Sequence, residues 1–209
     1  MNLELPKKSE VNKFIPKSKF FTKTTVNTKT KQLFADSVQK IIWRYKLSKE
    51  TINILGTKEV EEIQIFEIEL KEKDIPKNIL SIIDKTIPYP ILYIFTYKNF
   101  SCFGITVRNT DNPKYYFSDW NEKVLFDFNG NNLEQVYHKM VRVFIKSKNK
   151  NNTDFKTLVG LDIKREKLEK EVLILEKKLK NEKQFKRQIE INKELKYKIR
   201  ELEEVKKEL

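Results

Sequence analysis

Two glutamates and a lysine alternate along one short stretch, Glu67-x-Glu69-x-Lys71. On a β-strand, residues two apart face the same way, so the three side chains share a face. A carboxylate and a lysine at this spacing are the arrangement of metal-dependent nucleases of the restriction-enzyme type. There the carboxylate binds a divalent cation and the lysine sits near the attacking water. Glu69 and Lys71 are the candidates for such a pair. The chemistry also needs an acidic residue on a neighbouring strand. Asp36 falls in an expected helix, and no Asp lies between it and this strand. The expected order, helix-strand-strand-helix-strand-strand, departs from the three-strand meander of that fold. A solvated strand end with mutually offsetting charges accounts for the same residues.

Other chemistry finds less support. His138 is the only histidine and Cys102 the only cysteine, so a Cys/His zinc site and an intrachain disulfide are both excluded. Neither stands in a nucleophile motif. The glycines at 56, 104, 130 and 160 are scattered, and none opens a phosphate-binding loop. No catalytic residue, metal ligand or cofactor is therefore assigned.

A basic, aromatic N-terminal stretch is the stronger candidate. Residues 1–30 carry seven lysines against Glu4 and Glu10, a net of 7 − 2 = +5, with Phe14, Phe20 and Phe21 interleaved. Lysines neutralise phosphates and aromatic rings stack on unpaired bases. Lys7, Lys8, Lys13, Lys17, Lys19 and Lys23 are the expected nucleic-acid contacts. Packing of the three phenylalanines on the rest of the chain is the competing explanation. The whole chain is at +13, which favours a polyanionic partner, DNA or RNA. Heavy use of Lys, Ile and Asn, as in proteins of AT-rich genomes, also produces such a charge.

The elements that must position these residues follow from periodicity. Residues 31–47 place Leu33, Phe34, Val38, Ile41, Ile42 and Tyr45 on one helical face. Thr51 to Leu55 reads as a short β segment. Val60 to Lys71 alternates as a strand, with Gln64, Phe66, Ile68 and Leu70 on one side. Asp74 is the expected N-cap of a helix from Ile75 to about Thr86. Ile91–Tyr97 and Phe100–Val107 form a hairpin across Lys98-Asn99. Lys114–Trp120 and Lys123–Phe128 suggest a second hairpin. Leu133, Val136, Tyr137, Met140, Val141 and Phe144 form a helical stripe.

The expected organisation is a basic arm (1–30), an α+β domain (31–146), a polar linker (147–156) and a coiled-coil tail (157–209). The fold class is α+β: a mixed or antiparallel sheet with about three helices, then a C-terminal coiled-coil helix or helical hairpin. In the tail, Leu168, Val172, Leu175 and Leu179 step by four, three and four. Leu195, Ile199, Leu202 and Leu209 form a second run. The two runs are out of register, which fits a turn or a heptad discontinuity between them. Such a seam grips a partner helix or a second copy of the chain. No apolar run approaches a membrane span, and MNLELPKKSE lacks a signal-peptide core. A cytoplasmic protein without a membrane partner is expected.

Five stretches carry a resemblance: LPKKSEVNKFIPKSKFF, KIIWRYKLSKETINI, KEVEEIQIFEIELK, ILSIIDKTIPYPILYIF and, in the tail, KNEKQFKRQIEINKELK. Together they resemble a bacterial domain-of-unknown-function family, number 4391, over nearly the whole length. Members of that family are often encoded beside DNA methyltransferases and helicases of restriction-like loci. The resemblance implies a non-enzymatic accessory role in DNA processing or phage defence, with a helicase or methyltransferase as partner. It carries over no catalytic residue. A metal-dependent nuclease using Glu69 and Lys71 and a purely structural protein-binding scaffold are the alternatives.

Overall fold

The structure, a computed structural model, describes residues 3–21, 27–108, 113–149 and 152–209. The chain divides into two compact units, Met1–Phe144 and Ile145–Leu209. The first unit is built on a six-stranded mixed sheet in strictly sequential order. Its strands are β1 (Glu10–Phe14), β2 (Val38–Leu47), β3 (Ile63–Leu70), β4 (Ile91–Tyr97), β5 (Phe100–Val107) and β6 (Lys114–Phe117). All neighbours are antiparallel except β3 and β4, which run parallel. A parallel pair needs a crossover, and helix α3 (Lys77–Thr86) supplies it.

The β3 alternation is observed. Phe66, Ile68 and Leu70 join one apolar cluster with Phe34, Ile79, Leu80 and Ile83, the last three from α3. Ile63 and Ile65 are also buried, so both faces of β3 are covered along its first half. The hairpin of β4 and β5 has the expected two-residue turn, with Tyr97 opposite Phe100 and Lys98 at φ 51°. Helix α4 (Leu133–Phe144) buries the expected stripe apart from Phe144, which is half-buried. On the face opposite Cys102, Phe126 lies edge-on to Phe103 and also touches Phe144.

Several expectations are corrected. The helix expected over 31–47 is α1 (Thr28–Ser37) followed at once by β2. Val38, Ile41, Ile42, Trp43 and Tyr45 are β-branched or aromatic, types that suit a pleated surface. The register of β2 on β3 shifts between Val38 and Lys40 and again between Trp43 and Tyr45. Each shift breaks the period-two alternation, which is why the apolar spacing imitates a helix. The β segment expected at 51–55 is instead a single helical turn, α2 (Lys49–Ile52), with a Ser48–Thr51 capping box. Pro76, not Asp74, precedes α3, and it makes no side-chain cap bond. Of the second expected hairpin only β6 is a strand; Val124–Phe128 alternates in burial but joins no sheet among the described residues. About three helices are expected before the tail, and the first unit has four among the described residues, the fourth being the single-turn α2.

In the second unit, α5 (Phe155–Asn181) and α6 (Phe185–Glu208) are two long helices packed antiparallel. Ion pairs Lys164–Glu201 (3.5 Å), Glu171–Lys198 (3.0 Å) and Glu169–Lys206 (3.1 Å) set the antiparallel direction. Leu168, Leu175, Leu195, Leu202 and Leu209 are buried, whereas Val172, Leu179 and Ile199 are half-buried. The break falls at Glu182–Gln184, between the two out-of-register runs. The Leu209 carbonyl accepts from Asn149 N at 2.8 Å, tying the end of α6 to the segment before α5. Among the described residues, no helix is long and apolar enough to cross a membrane.

Gly104 marks the tightest packing in the sheet. A Cβ there would lie 2.8 Å from both the Phe95 and the Phe117 ring. Gly104→Ala is expected to destabilise the fold by about 1–3 kcal/mol, the usual cost of overpacking. Urea denaturation at constant m-value measures it.

Candidate functional site

The basic segment contributes to the sheet through β1, which pairs with β2 along a bulged register from Glu10↔Tyr45 to Phe14↔Ile42. Lys7 and Lys8 lie on a 3-10 turn and Lys13 on β1, all exposed. Phe20 is buried against Phe34, and Phe21 packs edge-on to the same ring. Phe14 stays exposed. Lys17 is half-buried and donates to the Val38 carbonyl, and burial together with the nearby Lys71 charge lowers its pKa. Lys17 thus has a structural partner within the fold. Lys19 is exposed on the second 3-10 turn. Lys23 lies outside the described residues.

A second set of lysines, not singled out from the sequence, gathers where β3 ends and β4 turns into β5. Lys71, Lys73 and Lys77 come from the β3–α3 connection and the first turn of α3, and Lys98 from the hairpin turn. Lys73 Nζ stands 3.8 Å from the Phe100 ring centre and 5.6 Å from that of Trp120. Lys77 reaches Phe117 at 5.6 Å, and Lys98 its neighbour Tyr97 at 5.1 Å. Each exposed cation–π contact is worth about 0.5–1 kcal/mol and holds the ammonium without neutralising it. Glu69 near the end of β3 and Glu72 and Asp74 in the connection are exposed, so the lysines are interspersed with acid.

The aromatic half of this rim is held by the segment that follows β6. Ser118 Oγ accepts from Phe103 N at 3.0 Å, and Ser118 N donates to the Phe103 carbonyl at 2.9 Å. Asn121, at φ 62°, donates its N–H to the Ser101 carbonyl and accepts from Ser101 N through Oδ1. These bonds extend the ladder beyond β6 and bring Trp120 beside Phe100. A left-handed Asn is common and costs little. The sequence signal was the aromatic run from Tyr115 to Trp120. Its lysine partners, Lys73 and Lys77, lie far upstream, before β4 begins.

The Glu67-x-Glu69-x-Lys71 stretch is only partly as expected. Glu67 pairs with Arg44 of β2 at 3.1 Å. Glu69 and Lys71 are exposed, and Lys40 is the cross-strand partner of Glu69. β1, β2 and β3 do form a three-strand antiparallel meander before the crossover helix, contrary to the element order expected from the sequence. The companion carboxylate is still missing: β2 reads VQKIIWRYKL, without an acidic residue. Among the described residues no three His, Cys, Asp or Glu side chains come together as metal ligands.

His138 lies 3.9 Å from Glu134 one turn away on α4. Cys102 is fully buried, and burial pushes its thiol up to about 12, with Lys73 acting weakly against it. It is not a thiolate at neutral pH.

The most connected polar group is Asp84, on the buried face of α3. Its Oδ1 accepts from Tyr93 OH at 2.8 Å and Arg108 Nη2 at 3.1 Å. Its Oδ2 accepts from Tyr115 OH at 2.7 Å and Thr106 Oγ1 at 2.9 Å. Arg108 also donates to the Ile87 carbonyl at 2.7 Å, and Tyr137 OH to the Thr106 carbonyl at 2.7 Å. A buried charge is tolerated only with such full bonding. Nothing in the sequence around Asp84 announced it, because its partners come from three later strand regions. Burial, then the Asp84 charge, raises Tyr93; burial and the Asp84 bond raise Tyr115; burial raises Tyr137.

The class that fold and surface define is an α+β protein with a basic, aromatic rim and, among its described residues, no assembled metal-ligand cluster. The chain belongs to the family described as domain of unknown function (DUF4391), whose family model matches residues 3–202. No curated protein and no solved structure matches it.

Two outcomes are expected from the Asp84 network. Asp84→Ala strands Arg108 and three hydroxyls, and the fold should lose about 3–5 kcal/mol in urea denaturation. The three phenols are neutral in the fold, and unfolding returns them to a pKa of about 10. Stability from these groups is therefore complete below that pH and is lost as pH rises toward their higher folded values. A urea midpoint that is level to about pH 9 and falls beyond pH 10 is the expected record.

Proposed function

We propose that this chain is a nucleic-acid-binding accessory protein without catalytic activity of its own, serving a DNA-processing or phage-defence system. The observation that carries the reading is Lys73, set against the rings of both Phe100 and Trp120, with Lys77 and Lys98 also set against rings. Lysines beside aromatic rings, of which Phe100 is exposed, offer both a phosphate contact and a stacking surface. Stacking of one base on such a ring contributes about 1–3 kcal/mol. The N-terminal lysines Lys7, Lys8, Lys13 and Lys19 add to the positive surface, and Lys23 is assigned with them. The paired helices α5 and α6 then serve assembly, as a coiled coil with a second copy or with a helicase or methyltransferase partner. Leu173, Ile174, Phe185, Ile189 and Tyr197 are exposed on them and are available for that contact.

The test is binding of short single- and double-stranded DNA and RNA across a salt series. Changing Lys71, Lys73 and Lys77 together to Gln should weaken binding to all sequences alike. The slope of log K against log salt should fall by about 0.7 to 0.9 for each phosphate that is no longer neutralised. Unchanged affinity and slope in the triple variant would count against the reading.

One observation favours a second reading, the metal-dependent nuclease: the meander β1–β2–β3 followed by a crossover helix and parallel β4. That is analogy of fold, a weaker warrant than a site. Incubation with Mg²⁺ and labelled DNA or RNA decides it. Cleavage abolished in Glu69→Ala would establish the nuclease; intact substrates throughout would dismiss it.

A further inference from the structure

A crevice of about 640 Å³ opens on the α1–α3 face of the sheet, between the second 3-10 turn and the α3–β4 connection. Its size is that of an ordinary ligand pocket. It is separate from the Lys73 rim and lies near the start of β3, whereas the rim lies at its end. Trp43 and Phe66, partners across β2 and β3, line it with parallel rings 6.2 Å apart at an interplanar angle of 8°. Phe20 and Pro88 add apolar surface, and Tyr89 is half-buried in the lining. Tyr89 stands between Pro88 and Pro90, and a residue that precedes a proline has a restricted backbone.

Most polar side chains of the lining are already engaged. Glu62 accepts from Lys46 through Oε1 at 2.5 Å and from Gln64 Nε2 through Oε2 at 2.9 Å. The Gln64 Oε1 atom is buried, out of reach of an occupant. The Thr86 hydroxyl donates to the Ile82 carbonyl at 2.8 Å, and Trp43 Nε1 to the Tyr45 carbonyl at 3.0 Å. Two donors face an occupant. One is the Tyr89 hydroxyl, which enters no hydrogen bond among the described residues. The other is the exposed Lys19 ammonium, whose three N–H groups serve several acceptors at once. The crevice thus offers aromatic rings and donors, and its one carboxylate is engaged through both oxygens.

An ordinary extended peptide laid in such a crevice brings an N–H with each residue, and a buried donor without an acceptor is costly. Proline has no N–H and keeps its carbonyl, so a run of prolines presents acceptors alone. Its polyproline II conformation exists before binding, so little chain entropy is lost. Three residues per turn set prolines i and i+3 on one face, about 9 Å apart. An α-helix bonds its carbonyls internally and would leave both donors of the crevice unused. We propose that the crevice docks a proline-rich, polyproline II segment of a partner protein. Its prolines pack on Trp43, Phe66 and Tyr89, and its carbonyls accept from the Tyr89 hydroxyl and Lys19. The proposal does not depend on the nucleic-acid reading of the rim.

The test is the fluorescence anisotropy of fluorescein-labelled decaproline titrated with the full-length chain. A Gly-Ser repeat of the same length and an amphipathic Leu/Lys helical peptide, equally labelled, are the controls. Decaproline should bind at least about tenfold more tightly than either. Tyr89→Phe removes only the hydroxyl and should weaken decaproline about three- to tenfold, the value of one hydrogen bond. Trp43→Leu should weaken it about thirtyfold or more, as loss of a central aromatic anchor does. Circular dichroism checks the fold of both variants, and Tyr89→Phe decides alone if Trp43→Leu does not fold. Decaproline carries no phosphate, so its affinity should change little with salt, unlike strand binding at the rim. No binding of decaproline up to about 1 mM chain, equal affinity for the Gly-Ser repeat, or an affinity unaltered in Tyr89→Phe overturns the site. Tighter binding of the helical peptide also overturns it and gives the crevice to an apolar helix. Salt-steep strand binding without decaproline binding overturns the crevice and leaves the rim reading standing. Decaproline binding with no strand affinity does the reverse.

Discussion

A buried carboxylate must be fully hydrogen-bonded, and Asp84 meets that demand with donors from β4, from β5 and its end, and from β6. The parallel junction of β3 and β4 is bridged by the helix that carries it. One side chain therefore holds the crossover helix against half of the sheet. Because Tyr137 bonds the Thr106 carbonyl, α4 is linked to the same network. The two ends of α3 inherit their positions from this arrangement. Its first turn carries Lys77 to Phe117, and its exit, Thr86 to Tyr89, lines a crevice together with Trp43 and Phe66.

Charge is distributed unevenly over the first unit. Along β2 and β3 it is neutralised across the strands, by Arg44 with Glu67 and Lys46 with Glu62. Those pairs fix register, since a slip of one residue would turn every charge to the other face. At the rim the same residue types are held by aromatic rings as well, which leave the ammonium charge available. The difference between a lysine paired with a carboxylate and one set against a ring is thus the partner, not the residue. Lys17, expected among the binding residues, illustrates this: it is half-buried and bonded to a backbone carbonyl.

The second carboxylate that a metal-binding pair at Glu69 would need is absent from β2, where Lys40 lies opposite Glu69. A lysine there repels a divalent cation and attracts a phosphate.

The sequence by itself determined the elements whose signals are local. The β3 alternation, the Lys98-Asn99 turn and the α4 stripe need only neighbours in the chain, as does the break between the two tail runs. The tertiary structure decided everything that depends on partners distant in sequence. Residues 38–47 became a strand because β3 offers a ladder along them, and their two bulges had disguised the alternation. Val124–Phe128 alternates as well, and without a paired neighbour among the described residues it is no strand. Pro6, Pro16 and the lysines concealed β1, an edge strand whose partner β2 begins only after α1. The functional residues follow the same division. Lysine and aromatic content was visible as composition. Which lysine meets which ring, and which donors meet Asp84, is settled only when α3, β4, β5 and β6 are brought together, because cation–π contacts and hydrogen bonds act over a few ångströms of space and not along the chain.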